Sequence, residues 1–387
     1  MTYLEKLLMG VNVEWKTLGE VVEIIRGVRI TKNDLLTDGK FPVVSGGIGF
    51  MGYTNNYNRE SDTITIAQYG TAGYVKWQTE KFWANDVCFC VKPNKAIILN
   101  RYLYFYLINK QQYIYDISNR TATPYSIERD KILKLEISIP PLEIQQKIVA
   151  ILDSFTELTT ELTTELTARK KQYAFYREQL FIFDDKNVNW FSLGEIADVT
   201  KLAGYEFTEH IKYSDVGTII ALRGLNVKKG FLDLTSVKYI DESNFSKLNR
   251  SKLIINDMLF TYVGTIGEVA LVDCDNKYYL APNVARIRIL DERVLPLFLR
   301  FYFQSYYFLE KQINRYLSSS SMKNLTMENI RKFKIPIPPI EEQKRIVSIL
   351  DKFDTLTTSI SEGLPKEIEL RKKQYEYYRD MLLSFPK

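Results

Sequence analysis

Two long stretches of the chain place apolar residues at steps of three and four, and the segments ahead of them follow other patterns. From Ile144 the apolar positions run Ile148, Ile151, Phe155, Leu158, Leu162, Leu166, Tyr173, Tyr176 and Leu180. That spacing keeps them on one face of an α-helix and predicts about 37 helical residues, roughly 55 Å long. A second stripe runs Ile346, Ile349, Phe353, Leu356, Ile360, Ile368, Tyr375, Tyr378 and Leu382. Either stripe alone would face water, so the pattern predicts that one buries the other, as an antiparallel coiled coil. Gly363-Leu364-Pro365 interrupts the second stripe, in a segment four residues longer than its counterpart. A kink or a break is expected there.

Ahead of each stripe the pattern shortens to strands and turns. Phe41-Pro42-Val43-Val44 runs into the turn Ser45-Gly46-Gly47, and Thr63-Ile64-Thr65-Ile66-Ala67 alternates with period two. Gly70-Thr71-Ala72-Gly73 then turns the chain towards Tyr74-Val75, and a helix is expected over residues 99–111. The same order recurs later: Ile219-Ile220-Ala221-Leu222, Asp257 to Tyr262, Gly264-Thr265-Ile266-Gly267, then a helix near residues 295–307. The two glycine turns lie 194 residues apart, while the residues around them differ widely. The scaffold repeats and the loops do not.

The joints between domain and helix repeat more closely. Ile139-Pro140-Pro141-Leu142-Glu143, Gln145, Ile148-Val149, Ile151-Leu152-Asp153 and Arg169-Lys170-Lys171-Gln172-Tyr173 form the first set. Ile337-Pro338-Pro339-Ile340-Glu341, Gln343, Ile346-Val347, Ile349-Leu350-Asp351 and Arg371-Lys372-Lys373-Gln374-Tyr375 form the second. Trp15 with Leu18-Gly19-Glu20 is echoed by Trp190 with Leu193-Gly194-Glu195. A period this long indicates two domain-plus-helix units rather than a solenoid. The expected segments are a first domain over 1–138, a helix over 139–183, a second domain over 184–336 and a helix over 337–387. The fold class is α+β, with two pseudo-repeated mixed α/β domains.

At 387 residues, with 45% hydrophobic and 26% charged residues, the chain can bury two ordinary cores. The formal net charge of +5 leans only mildly towards an anionic partner. No run of 18 apolar residues predicts a membrane span, and Met1 to Lys6 lacks a signal-peptide layout, so a cytoplasmic protein is expected. Three cysteines, Cys88, Cys90 and Cys274, fit a reducing compartment. With His210 as the sole histidine, a zinc site and His-based catalysis are not expected.

A domain of variable loops, then Ile-Pro-Pro-Leu-Glu-x-Gln, then a long helix, all stated twice, resembles the specificity subunit of type I restriction-modification enzymes. The resemblance runs from Trp15 to about Leu382. It implies two target recognition domains, each reading one half of a split, asymmetric sequence in double-stranded DNA. It further implies spacer helices that dock two methyltransferase subunits, to which restriction subunits can be added. It implies no cofactor and no chemistry in this subunit. The residues agree: the chain has no Asn-Pro-Pro-Tyr or Asp-Pro-Pro-Tyr string, Thr123-Pro124-Tyr125 being the nearest, and no Walker-type loop. A coiled-coil scaffold bearing two protein-binding domains is the other class of reading.

Residues 156–167 read Thr-Glu-Leu-Thr three times in tandem. Leu158, Leu162 and Leu166 fall on the seam, and Thr156, Thr160 and Thr164 are poor helix formers, so helical propensity does not account for the string. Four added residues lengthen a helix by ~6 Å and rotate its downstream part by ~400°. The excess over a full turn, ~40°, is close to the ~35° that one base pair turns. The ~6 Å advance is about twice the ~3.4 Å of a base pair, a difference that tilt of the helix against the DNA axis can absorb. The expectation is that repeat number sets the unread spacer between half-sites.

Phosphates call for cations, hydroxyls and backbone N–H groups, and base edges for long polar side chains. The candidates in the first domain are Ser45, Gly46, Gly47, Tyr69, Gly70, Thr71, Arg120, Thr121 and Thr123. Those in the second are Arg223, Asn226, Gly264, Thr265, Ser319, Ser320 and Lys323. The docking candidates are the repeated basic ends, Arg169, Lys170 and Lys171 with Arg371, Lys372 and Lys373. Ordinary turns and solvated helix faces would look the same at many of these positions.

Overall fold

The computed structural model describes residues 9–121, 123–183, 188–202, 209–317, 324–359 and 361–385. Ser319, Ser320 and Lys323 lie outside them. The chain divides into two units, Met1–Thr163 with Glu367–Lys387, and Thr164–Lys366.

In the first unit β1 (Glu14–Thr17) leads through the short helix α1 (Leu18–Val21) into β2 (Val22–Arg26). The strands β3 (Phe41–Val44), β4 (Gly52–Thr54), β5 (Thr63–Ala67), β6 (Val75–Gln78), β7 (Trp83–Ala84) and β8 (Cys88–Pro93) come next. A four-stranded antiparallel sheet has the order β2-β8-β5-β6, and a smaller one the order β4-β3-β7. The helices α2 (Asn100–Asn109), α3 (Gln111–Asp116) and α4 (Arg129–Leu133) cover the larger sheet, burying Tyr102, Leu103, Phe105 and Tyr106 with Ile64, Ile66 and Val91. Strand β9 (Glu136–Ile139) returns to pair with β1, and α5 (Leu142–Leu180) leaves from it.

The second unit repeats this plan. Strand β10 (Asn189–Ser192), α6 (Leu193–Ile196) and β11 (Ala197–Lys201) open it. The strands β12 (Ile220–Leu222), β13 (Val227–Lys228), β14 (Phe231–Leu232), β15 (Met258–Thr261), β16 (Val269–Leu271), β17 (Tyr278–Leu280) and β18 (Val284–Ile289) come after them. Its main sheet has the order β11-β18-β15-β16, the equivalent of β2-β8-β5-β6. Then come α7 (Pro296–Phe303), a π-helical turn (Phe308–Ile313), α8 (Asn314–Tyr316), α9 (Met327–Arg331) and β19 (Lys334–Ile337), which pairs with β10. The helical stretch is aromatic, with Phe303 edge-on to Phe308 at 4.0 Å between ring centres.

The repeated motifs now have physical reasons. Thr17 donates its N–H and hydroxyl to Glu20 Oε2, both at 2.6 Å, and Ser192 does the same to Glu195. Each pair anchors a helix start. Between them Gly19 and Gly194 pass close to Leu133 and Arg331; a Cβ there would lie 3.4 Å and 3.1 Å from those residues' own Cβ atoms.

Pro141 and Pro339 sit just before the long helices rather than within their first turns. Their carbonyls accept the N–H groups of Gln145 and Gln343 at 3.0 and 3.1 Å. The glutamine of the motif is fully buried in both units. Gln145 Oε1 accepts Leu99 N–H at 2.8 Å, and its Nε2 donates to the carbonyls of Ile97 and Pro140 at 3.0 and 2.8 Å. Gln343 repeats this with Leu295, Arg293 and Pro338. Asp153 pairs with Arg101 at 2.7 Å, and Arg300 reaches Asp354 at 3.4 Å and Asp351 at 3.9 Å.

The second long helix is broken as expected, into α10 (Ile340–Thr358) and α11 (Gly363–Leu383). Gly363 carries the break at φ +79°, and a Cβ there would meet the Thr355 carbonyl oxygen at 2.5 Å. In the first unit Phe155 stacks on Tyr378 at 5.3 Å; in the second Phe353 stacks on Tyr176 at 5.6 Å and on Tyr173 at 5.9 Å. In both units the early part of one helix meets the late part of the other, the pairing of an antiparallel coiled coil. No helix among the described residues is long and apolar enough to cross a membrane.

Candidate nucleic-acid interface

In the first unit three separate candidate segments come together. The Gly46 carbonyl accepts the Thr71 N–H at 2.9 Å and the Thr71 hydroxyl at 2.7 Å. A Cβ on Gly46 would lie 2.3 Å from the Tyr69 carbonyl oxygen, so this approach requires glycine. Gly70, at φ +76°, donates its N–H to Tyr125 at 3.0 Å, and Ile127 N–H donates to Gln68 at 2.9 Å. Asn119 exchanges both backbone bonds with Ser126, and its side chain accepts from the N–H and hydroxyl of Thr121. The Arg120 guanidinium lies over the rings of Tyr115 and Tyr125, at 4.7 and 5.3 Å from their centres. Gly47, Tyr69, Arg120, Thr121 and Thr123 are exposed, while Ser45, Gly46 and Thr71 are half-buried.

The second unit builds the matching corner. Val263 bridges to Asn324, and Leu325 N–H donates to Tyr262 at 3.0 Å, the equivalents of the Tyr69–Ser126 and Ile127–Gln68 contacts. Here the corner opens into a cleft of about 580 Å³. Arg223 and Thr265, far apart in sequence, both line it, with Gly224, Lys228, Glu268 and Asn283. Gly264, at φ +77°, lies at the tip of the turn with open space around it. Arg223 is steadied by its own donation to the Ser236 carbonyl at 2.9 Å. Partial burial raises the pKa of Tyr213, with Arg223 opposing, so that the phenol on the cleft wall stays neutral at physiological pH.

Asn226, a candidate for DNA contact, lies behind the cleft surface. It is fully buried: its Oδ1 accepts Arg223 N–H at 3.1 Å and its Nδ2 donates to the Asp233 and Ser236 carbonyls, both at 2.9 Å. The amide shapes the loop that presents Arg223 and, being fully buried, has no surface to offer DNA. Several cleft residues were not among the candidates. Lys228, on the hairpin β13–β14, could have been found from the Lys228-Lys229-Gly230 string; Tyr213, Glu268 and Asn283 gave no local signal. In the first unit Lys76 is such a residue: it donates to the Ile48 carbonyl at 3.4 Å and sits over Phe50 at 4.6 Å, beside Ser45 and Gly47.

On the helices the repeated Arg-Lys-Lys-Gln-Tyr strings hold themselves in the same way. Arg169 bonds Glu165 at 2.7 Å and Gln172 at 2.8 Å, and Arg371 bonds Glu367 at 3.4 Å and Gln374 at 3.0 Å. Lys170, Lys171, Lys372 and Lys373 are exposed, and Lys373 pairs with Glu369. Leu158, Leu162 and Leu166 are half-buried, while Thr156, Thr160 and Thr164 are exposed.

Comparison with known proteins places this architecture. The family model of the type I restriction modification DNA specificity domain matches residues 11–170 and again 185–370. A putative type I restriction enzyme specificity subunit of Haemophilus influenzae is 35% identical, over 99% of this chain and 98% of its own. The Escherichia coli type I restriction enzyme EcoR124I/EcoR124II specificity subunit is 34% identical, over 100% of this chain and 98% of its own. Among solved structures, the specificity subunit of the type I system of M. genitalium superposes with a TM-score of 0.65 at 17% identity, covering 100% of both chains. A chain from a study of type I complex assembly and conformational transition superposes with a TM-score of 0.58 at 17% identity, over 97% of this chain and 98% of that one. With the duplicated domain, the proline-glutamine joints and the paired helices, these matches show that the chain belongs to the specificity subunits of type I restriction-modification systems.

Proposed function

We propose that residues 1–138 and 184–336 each read one half of a bipartite, asymmetric double-stranded DNA target. Residues 139–183 and 337–387 set the distance between the halves and dock two methyltransferase subunits, to which restriction subunits can be added. A specificity subunit is itself non-catalytic; it directs the modification and cleavage carried out by its partners. The place of work is the cytoplasm.

The observation that carries this reading is the corner common to both units, where sequence-distant polar loops meet on one glycine turn. In the first unit Ser45, Gly46, Gly47, Tyr69, Gly70, Thr71, Arg120, Thr121 and Thr123 form the DNA face. In the second it is formed by Arg223, Gly264 and Thr265, while Asn226 holds the loop behind them; Ser319, Ser320 and Lys323, outside the described residues, are proposed as further DNA contacts. Cations and backbone N–H groups at a turn suit phosphates, and the side chains that differ between the two corners suit different base sequences. Arg169, Lys170 and Lys171, with Arg371, Lys372 and Lys373, form two like surfaces for two copies of one partner.

The test is a methylome. The chain is expressed with its methyltransferase subunit in an unmethylated host and modified adenines are mapped by long-read sequencing. The expected result is one bipartite motif that disappears without this chain. An assembled complex that adds no methylation would overturn the reading in favour of a protein scaffold.

A further inference from the structure

Among the described residues that line the second unit's cleft, Glu268 is the one carboxylate, sharing the lining with Arg223 and Lys228. Its backbone is fixed: the Glu268 N–H donates to Thr261 Oγ1 at 3.0 Å, and its carbonyl accepts Thr261 N–H at 3.0 Å. Thr261 is itself buried, so the side chain is held at the root of the glycine turn and not on a mobile loop. Glu268 Oε2 is buried without a hydrogen-bond partner. A buried, unpaired acceptor is costly, so the carboxylate gains if its side chain turns outward into the cleft and meets a donor there.

The class of donor is set by the surroundings. A carboxylate repels phosphate, so Glu268 cannot share the task of Arg223 and Lys228 if DNA occupies the cleft. What DNA offers an acceptor is the exocyclic amino group on a base edge, and the common partner of a glutamate in the major groove is cytosine N4. The first unit has Tyr74 at the equivalent position, 194 residues earlier, also lining a depression beside Ser45 and Gly47. A phenol there and a carboxyl group here make this the kind of position that lets two like scaffolds read unlike sequences.

We propose that Glu268 reads a cytosine in the half-site bound by the second unit, accepting a hydrogen bond from its exocyclic amine, while Arg223 and Lys228 hold the flanking phosphates. This rests on the functional reading above. One such base contact is worth on the order of a 10-fold to 100-fold preference at a single position. The rest of that half-site, and all of the other, are independent of it.

The test uses the full chain in complex with its methyltransferase subunits, selecting bound sequences from a randomised DNA library. For the wild type the expected result is a bipartite motif with an invariant C·G pair in one half-site. In Glu268→Ala that position alone becomes degenerate. In Glu268→Gln, which keeps size and shape, it shifts from cytosine towards adenine, the base whose N6 and N7 suit a carboxamide. A wild-type motif retained unchanged by both variants overturns this inference and leaves the functional reading intact. So does a loss spread evenly over all positions in the isosteric Glu268→Gln, which would mark a structural role. A wild-type complex that selects no bipartite sequence overturns both.

Discussion

Gln145 and Gln343, fully buried themselves, each make three hydrogen bonds, two of which tie the first turn of a long helix to the loop opening a domain helix. Truncation strands a backbone N–H and two carbonyls, each of which loses its side-chain partner. Gln145→Ala should therefore destabilise the chain by about 3 kcal/mol, read as a lower denaturation midpoint, and Gln343→Ala should match it; a loss no larger than that of an exposed Gln179→Ala control would refute the account. The repetition of this glutamine is plain in the sequence but its task is not, because two of Gln145's three partners lie 46 and 48 residues away. Asn226 shows the converse: an asparagine in a glycine-containing turn reads the same whether its amide faces solvent or folds inward to brace the loop. Gly46 is the most constrained of the turn glycines in the first corner, since an added Cβ would strike backbone 2.3 Å away. Gly46→Ala should cost about 1–3 kcal/mol and degrade recognition of one half-site while leaving the other intact, as library selection on the assembled complex would reveal.

At the scale of elements, helix α5 runs unbroken through the Thr-Glu-Leu-Thr repeats despite their poor propensity. Hydroxyls of Thr156, Thr159, Thr160 and Thr163 donate to carbonyls four residues back, at 2.7–3.0 Å, which gives the threonines a place within the helix. An added or deleted repeat can thus be accommodated as helix, with the leucine kept on the seam by a rotation of only ~40°. Two-copy and four-copy variants should shift the unread spacer by about one base pair each, in opposite directions, with both half-sites unchanged. Methylation mapping measures this directly, and an unaltered spacer in both variants would refute the ruler. These helices were legible in advance because only a helix sustains an apolar period near 3.6 over dozens of residues. The loops of the corners were legible only as turns. Which residues meet there depends on pairings across the domain, such as Asn119 with Ser126 and Gly46 with Thr71, and these leave no local pattern.

At the scale of the molecule, each unit is completed by the far end of the other helix. The stripe around Ile148, Leu152 and Phe155 packs with Tyr375, Tyr378 and Leu382. Their equivalents in the first helix, 202 residues earlier, are Tyr173, Tyr176 and Leu180, and these pack in the second unit with Phe353 and its neighbours. A chain cut to residues 1–183 therefore carries both halves of the interface on one helix. That helix is continuous from Leu142 to Leu180 and cannot fold back on itself. Its early stripe can be covered only by the late stripe of a second copy, with Phe155 of one meeting Tyr176 of the other. The half-chain should form a twofold-symmetric dimer, seen as a doubled mass in sedimentation equilibrium and weakened by Tyr176→Ala. Supplied with methyltransferase subunits, such a dimer should select a split target whose halves are inverted copies of one sequence, because the same recognition domain is then presented twice. A half-chain that stays monomeric at high concentration would mean that the two stripes, although related by the repeat, are not interchangeable. The duplication would then have become an obligate asymmetry, with each helix end fitted to its own domain.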